Sequence, residues 1–233
     1  MSLPPDFDHL VIAVPNLAQS VEQYHDLVGV KAIPGGTHPG LGTANALLGL
    51  KVEAGGVAVE DVSVDAHRDS YIEILGPDPE QDPALAASRL AGITEPTVQR
   101  WAIHPADFDA VVTSCARSLQ PAAHSKEPNV DLGEVHYMSR RTPEGTLLEW
   151  RLTRRAPLAL GGIQPFLIDW KDSPHPARQP MPVVGLERFW ATSTDVDTTS
   201  RVLRSLGATI EVEAGVTEAL HATLKGPGGS WTI

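Results

Sequence analysis

Two hydrophobic rhythms alternate along this chain: a short β-branched run, then apolar positions at helical spacing. In FDHLVIAVPNLAQSVEQYHDLVGV, residues 10–14 predict a strand that Pro15 and Asn16 break, with Asn16 suited to cap a helix. Leu17, Val21, Tyr24 and Val28 then recur on one helical face, Gly29 stops the helix, and residues 30–33 begin another strand. The same order returns in VQRWAIHPADFDAVVTSCARSLQP, where Phe108, Val111, Val112, Cys115 and Leu119 mark the helix. It returns again in LERFWATSTDVDTTSRVLRSLGATIEV, with Val202, Leu203 and Leu206 before Gly207. Three such openings, starting near residues 9, 99 and 188, argue for repeated modules.

After each helix the chain turns strand-like, with no second long helix. Candidate strands span 44–52, 57–64 and 71–75 in the first unit, 135–139, 146–152 and 166–170 in the second, and 222–224 and 231–233 in the third. A doubly wound parallel sheet would need a helix between most strands. The fold class expected is therefore α+β: tandem βαβββ modules forming a curved mixed sheet with an internal cleft. Pro-rich stretches at 76–83 and 174–182 set the expected boundaries at 1–80, 81–176 and 177–233, the last a partial module. Residues 84–90 are expected to form a linking helix.

Composition narrows the function classes. Twenty-nine acids against 18 bases give a formal charge of -11, which disfavours nucleic acid and anionic lipid as partners. Arg151, Arg154 and Arg155 read as a solvated strand end. Cys115 is the only cysteine, so neither an internal disulfide nor a thiolate-rich metal site is available, and it is expected to be a buried structural thiol. With neither a leader-like start nor a membrane-length apolar run, a cytoplasmic location is expected, and a homodimer is compatible.

The chemistry-bearing candidates sit in apolar strands. His9 opens the run at 10–14, and Glu73 lies in YIEIL on the face it shares with Tyr71 and Leu75. A carboxylate among apolar neighbours is costly unless it is paired, protonated or metal-bound. His9 with Glu73 would hold a divalent ion, or Glu73 would act as a general base, or both would hydrogen-bond within a polar cleft. GGTHPGLGTANALLGL places His38, Thr43 and Asn45 on a glycine-rich rim loop or strand connection suited to a small polar ligand. Asp169, Trp170 and His175 lie close together in PFLIDWKDSPHP, Glu149 rivals Glu73, and Arg100 or Arg188 would suit an anionic substrate.

On FDHLVIAVPNLAQSVEQYHDLVGV, HPGLGTANALLGL, YIEILGPDP and PFLIDW with His175–Pro176 beyond it, the sequence resembles the glyoxalase-like branch of the vicinal-oxygen-chelate superfamily. The resemblance implies paired βαβββ modules and a cleft that often holds Fe, Mn, Zn, Ni or Mg. It places His9 and Glu73 as metal ligands from the first module. The second module departs from the pattern, with Gln99 or Arg100 in place of the first-strand ligand and Ile168 opposite Glu73. The resemblance implies a metal-assisted lyase, isomerase or dioxygenase acting on a small oxygenated metabolite; with the reading of the residues themselves, Glu73, His9 and Asp169 are the expected catalytic groups and His38, Thr43, Asn45, Trp150, Trp170 and His175 the expected substrate contacts. The alternatives are a binding protein that uses Tyr71, Trp101, Trp150 or Trp170 in the same cleft, and a structural protein that associates through its third unit.

Overall fold

The computed structural model describes residues 3–52, 70–87, 89–119, 128–142 and 145–233. The strand expected at 57–64 lies outside the described residues.

The first unit runs β1 (Phe7–Ala13), α1 (Leu17–Val28), β2 (Ile33–His38), β3 (Thr43–Val52) and β4 (Tyr71–Pro77). Its helix begins where the side chain of Asn16 accepts a hydrogen bond from the Gln19 amide and ends at Gly29, whose φ of 75° lies in the left-handed region. The segment at 35–50, expected to be a rim loop or strand connection, is the end of β2 and most of β3, with only the turn at 39–42 between them irregular. A short helix, α2 (Pro83–Ala86), covers only part of the linking helix expected at 84–90. The second unit comprises β5 (Thr97–Ile103), α3 (Phe108–Ser118), β6 (Glu134–Arg141), β7 (Leu147–Arg154) and β8 (Phe166–Asp169). The third contributes β9 (Val183–Ser193), α4 (Val196–Ser205), β10 (Glu211–Ala214), β11 (Ala219–Gly226) and β12 (Gly229–Thr232).

The first two units pair their strands in the same way. In each, the opening strand lies parallel to the last, β1 beside β4 and β5 beside β8, and the remaining strands add antiparallel outward. Antiparallel pairing of β1 with β5 joins them. Helices that open at Leu17 and Phe108 make Arg100 the counterpart of His9, and the register agrees: His9 faces Ala102 while Arg100 faces Val11. The third unit departs from this pattern. Its β9 pairs directly with β10 and β11, and beyond the end of β2 it takes the free edge of β3, from Gly49 to Val52. The partial module thus extends the sheet of the first unit, within one mixed sheet of α+β architecture.

Alternation along the strands sorts the side chains onto two faces. Leu10, Ile12, Ile72, Ile74, Trp101 and Leu167 pack on the helical side with Tyr24, Val28, Phe108 and Leu203. A fully buried Leu or Ile of this kind stabilises by roughly 1.5–3 kcal/mol. Leu47, Tyr71, Ala102, Trp150, Ile168 and Trp170 form a second cluster on the opposite face. Trp101, a candidate for ligand contact, belongs to the first cluster: it is fully buried, stacks on Phe7 at 6.0 Å and donates its indole N–H to the Ile163 carbonyl. Cys115 is only partly buried and packs against that cluster. No described helix is long and apolar enough to cross a membrane.

Candidate functional site

On the face opposite the helices the sheet carries a pocket with about 990 Å³ of space between its walls, open mouth included. His9, Glu73, His38 and Asn45 enter it from the first unit, and Arg100, Arg140, Trp150 and Phe166 from the second. The strand reasons are local. Alternation puts Tyr71 and Glu73 of β4 on the pocket side, and Asn45 and Leu47 of the neighbouring β3 beside them, Leu47 directly opposite Glu73.

At the base of the pocket is a chain of buried polar groups. Asp8 Oδ1 lies 2.5 Å from His9 Nδ1, and Asp8 Oδ2 lies 3.0 Å from both Trp170 Nε1 and His175 Nε2. A carboxylate can only accept, so Nδ1 of His9 carries the proton and its Nε2 presents a lone pair to the pocket. His175 has the opposite tautomer: its Nδ1 accepts from the Ala177 amide, which leaves Nε2 to donate to Asp8. Burial pushes the Asp8 carboxyl up, but the hydrogen bonds from His175 and His9 outweigh it and hold the group well below the usual carboxylate range.

His9 Nε2 faces Glu73 Oε2 at 3.8 Å, and the other carboxylate oxygen lies 3.8 Å from His38 Nε2. Asn45 donates to that same oxygen at 2.6 Å. Burial opposes charge on Glu73, yet His38, His9 and Asn45 together hold its pKa down to about 2. Burial likewise lowers His38 to about 4, partly offset by Glu73. His38 is fixed by Thr43, whose hydroxyl lies 3.1 Å from Nδ1 and accepts a hydrogen bond from Arg89. The ring of His9 is held flat on Tyr71, centroids 4.6 Å apart, with Phe166 edge-on at 5.5 Å.

Other candidates lie elsewhere. Asp169 is outside the pocket wall: its carboxylate takes Arg151 Nε at 2.7 Å, and Arg151 continues to Asp109 on α3, a brace on the helical side. Glu149 is exposed, and Arg188 is paired with Glu211 and Glu213 in the third unit. His175 and Thr43 stand behind the pocket, supporting Asp8 and His38, whereas Trp150 and Trp170 line it. Of the three arginines read as a solvated strand end, Arg154 and Arg155 reach the pocket wall and Arg151 serves the brace. Asp8, Arg89 and Arg140 are site residues that no local sequence signal singles out.

Do these residues fit a divalent ion? Structural and catalytic sites of this kind ordinarily take at least three protein donors. Among the described residues, no three His, Cys, Asp or Glu side chains converge to hold one. Among its described residues the second unit repeats neither ligand: Arg100 stands where His9 would repeat, and the β5–β8 register sets Phe166, not Ile168, at the counterpart of Glu73. A guanidinium at a ligand position repels a cation. Among the described residues, the donor set does not fit a resident metal.

Two βαβββ units joined through antiparallel opening strands, with a polar pocket on the face away from the helices, define a vicinal-oxygen-chelate protein. The family model of the glyoxalase-like domain matches residues 7–207, and the chain belongs to that family. Among solved structures, it is similar to a Streptomyces coelicolor methylmalonyl-CoA epimerase variant in complex with 2-nitronate-propionyl-CoA, at 24% identity and TM-score 0.43, over 72% of this chain and 97% of that one. It is also similar to the Mycobacterium tuberculosis methylmalonyl-CoA epimerase, at 22% identity and TM-score 0.36, over 72% of this chain and 88% of that one. A hypothetical protein from Bacillus halodurans C-125 matches at 17% identity and TM-score 0.39, over 72% of this chain and 96% of that one. No curated protein matches the chain.

Proposed function

We propose that the chain is an enzyme that moves a proton on a small oxygenated metabolite, an isomerase or lyase reaction, with His9 as the general base and the pocket as its internal cleft. The observation that carries this is the Asp8–His9 pair: a buried carboxylate 2.5 Å from Nδ1 fixes the tautomer that points the Nε2 lone pair into the pocket. Burial opposes charge on the neighbouring Glu73, but His38, His9 and Asn45 keep it ionised, so it serves as a counter-charge beside the base when His9 takes the proton. The imidazolium that results is flanked by two ionised carboxylates, Asp8 at Nδ1 and Glu73 at 3.8 Å from Nε2. Tyr71 fixes the ring plane, and Trp150, Trp170 and Phe166 wall the substrate from solvent. The protonated base then delivers its proton to an adjacent atom on the same face of the substrate, completing an isomerisation, or to a departing β-substituent as the electron pair closes a double bond, completing a lyase reaction. Positioned acid–base groups of this kind contribute about 10²–10⁴-fold.

The test is hydrogen exchange at carbon. Small 2-oxo and 2-hydroxy acids, and their esters, are incubated with the protein in D2O and monitored by proton NMR. Catalysed loss of an α-proton signal that disappears in folded His9→Asn protein is the expected result. Ligand binding with no exchange on any compound would instead establish a binding protein that uses the same pocket.

A further inference from the structure

The formal charge of the whole chain is -11, yet this pocket is locally cationic. Arg89, Arg100, Arg140, Arg154 and Arg155 line it, and among the described lining residues Glu73 is the only Asp or Glu. That single acid does not account for the arginines. It accepts its hydrogen bond from Asn45 and faces the imidazoles of His9 and His38 at 3.8 Å, with Arg100 adding only a longer-range attraction. Arg89 is engaged by Thr43, and Arg155 by Asp131 and the Pro157 carbonyl.

Two others are left with unused donors. Arg140 is only 4% exposed, and its Nη1 is buried without a hydrogen-bond partner. Arg100 rests over the Phe166 ring at 5.5 Å, and its Nε is likewise buried and unpartnered. A buried guanidinium with idle donors is destabilising unless something accepts from it. Arg100 comes from β5 and Arg140 from β6, so strands at opposite ends of the second unit deliver their charge to one pocket. Planar, fork-like donors suit a carboxylate or phosphate, which offers paired acceptor oxygens.

We infer that the pocket takes an anionic ligand, a small metabolite whose carboxylate or phosphate group lies on Arg100 and Arg140. This deepens the proposed function: it rests on the pocket as the substrate site and orients the substrate, with the anionic end on the arginines and the reacting carbon towards His9.

The experiment is titration calorimetry with 3-phenylpropionate, its neutral amide, and phenyl phosphate, whose aromatic bodies suit the Tyr71, Phe166 and Trp150 walls. At least one anion is expected to bind tenfold or more tightly than the amide and to weaken as salt is raised. Whichever anion binds more tightly identifies the group. Arg140→Met and Arg100→Met should each lower anion affinity tenfold or more and leave the amide unchanged. Arg140→Met should also melt at the same temperature as the parent or higher, because it removes an unsatisfied buried charge; a purely structural arginine would give the reverse. If a methionine variant does not fold, Arg140→Lys and Arg100→Lys replace it and should weaken the anion by a smaller factor. Equal affinity for acid and amide, undiminished binding in both arginine variants, or no binding of either anion at millimolar concentration overturns the inference. Folded His9→Asn keeps anion binding while losing carbon exchange, so loss of the catalytic reading and loss of this one are separate results.

Discussion

Asp8 and His9 are neighbours in the chain and also partners through their side chains, with Oδ1 2.5 Å from Nδ1. Strict strand alternation would send the two side chains to opposite faces. The pairing of β1 with β5 is irregular between Phe7 and His9, and there that rule lapses. Asp8→Asn keeps the size of the side chain but offers an amide that donates to Nδ1, which moves the ring proton to Nε2 and removes the lone pair from the pocket. The expected outcome is a fall of about 100-fold in α-proton exchange with little change in ligand affinity. Nitrogen-15 NMR of the imidazoles would show the tautomer change directly. An Asp8→Asn protein of parent activity and unchanged tautomer would refute the relay.

His38 gives the pH dependence. Burial lowers its folded pKa from the ordinary 6.5 to about 4, so the unfolded chain binds the proton more readily. The contribution to stability is complete above pH 6.5 and is lost as the pH falls towards 4, with a total of ~3 kcal/mol. Urea unfolding at intervals from pH 7 to 4 should show this slope in the parent, and His38→Gln should flatten it. The depressed carboxyls of Asp8 and Glu73 act in a lower window, where their stabilisation is lost as the pH falls below the ordinary carboxylate range.

Legibility tracked distance along the chain. The strand–helix openings were readable because their signals are local: Asn16 caps α1, Gly29 ends it, and the apolar period runs between them. His9 and Glu73 were readable as a pair because each shows its face by alternation, and β1 lies beside β4. Asp169 misled for the same reason in reverse. It is an acid after an apolar strand that needs a partner, but the partner is Arg151 on the helical side. Arg140 carries no local mark, since its role depends on β6 approaching β2 of the other unit. The third unit's attachment to β3 is likewise a pairing between distant segments, invisible to any local pattern.

That approach of β2 to β6 passes through Gly36, whose φ of 138° an L side chain rarely adopts. A Cβ there would stand 2.9 Å from the Arg141 carbonyl oxygen and 3.1 Å from Arg140 Nη1. Gly36→Ala is expected to destabilise by about 1–3 kcal/mol through backbone strain. Because the intruding methyl presses on Arg140, anion affinity should fall as well. Chemical denaturation and the acid-versus-amide titration check the two effects; unchanged stability would show that the two strands can separate freely.

Two tryptophans separate folding from recognition. Trp101 is fully buried on the helical face between Phe7 and Phe189, and its indole N–H is satisfied by the Ile163 carbonyl. Trp101→Ala therefore removes a large buried ring and strands an acceptor, a loss of about 3–5 kcal/mol. Trp150 is nearly as buried but sits on the other face, packed on Trp170 with centroids 5.4 Å apart and lining the pocket. Trp150→Phe keeps most of the core contact and shrinks the pocket wall. It should change stability by less than Trp101→Ala while weakening the binding of aromatic acid and aromatic amide together, since it leaves the arginines in place. Denaturation midpoints and paired titrations read the two variants. If Trp150→Phe altered only the acid's affinity, the aromatic wall and the cationic end of the pocket would not be separate determinants of binding.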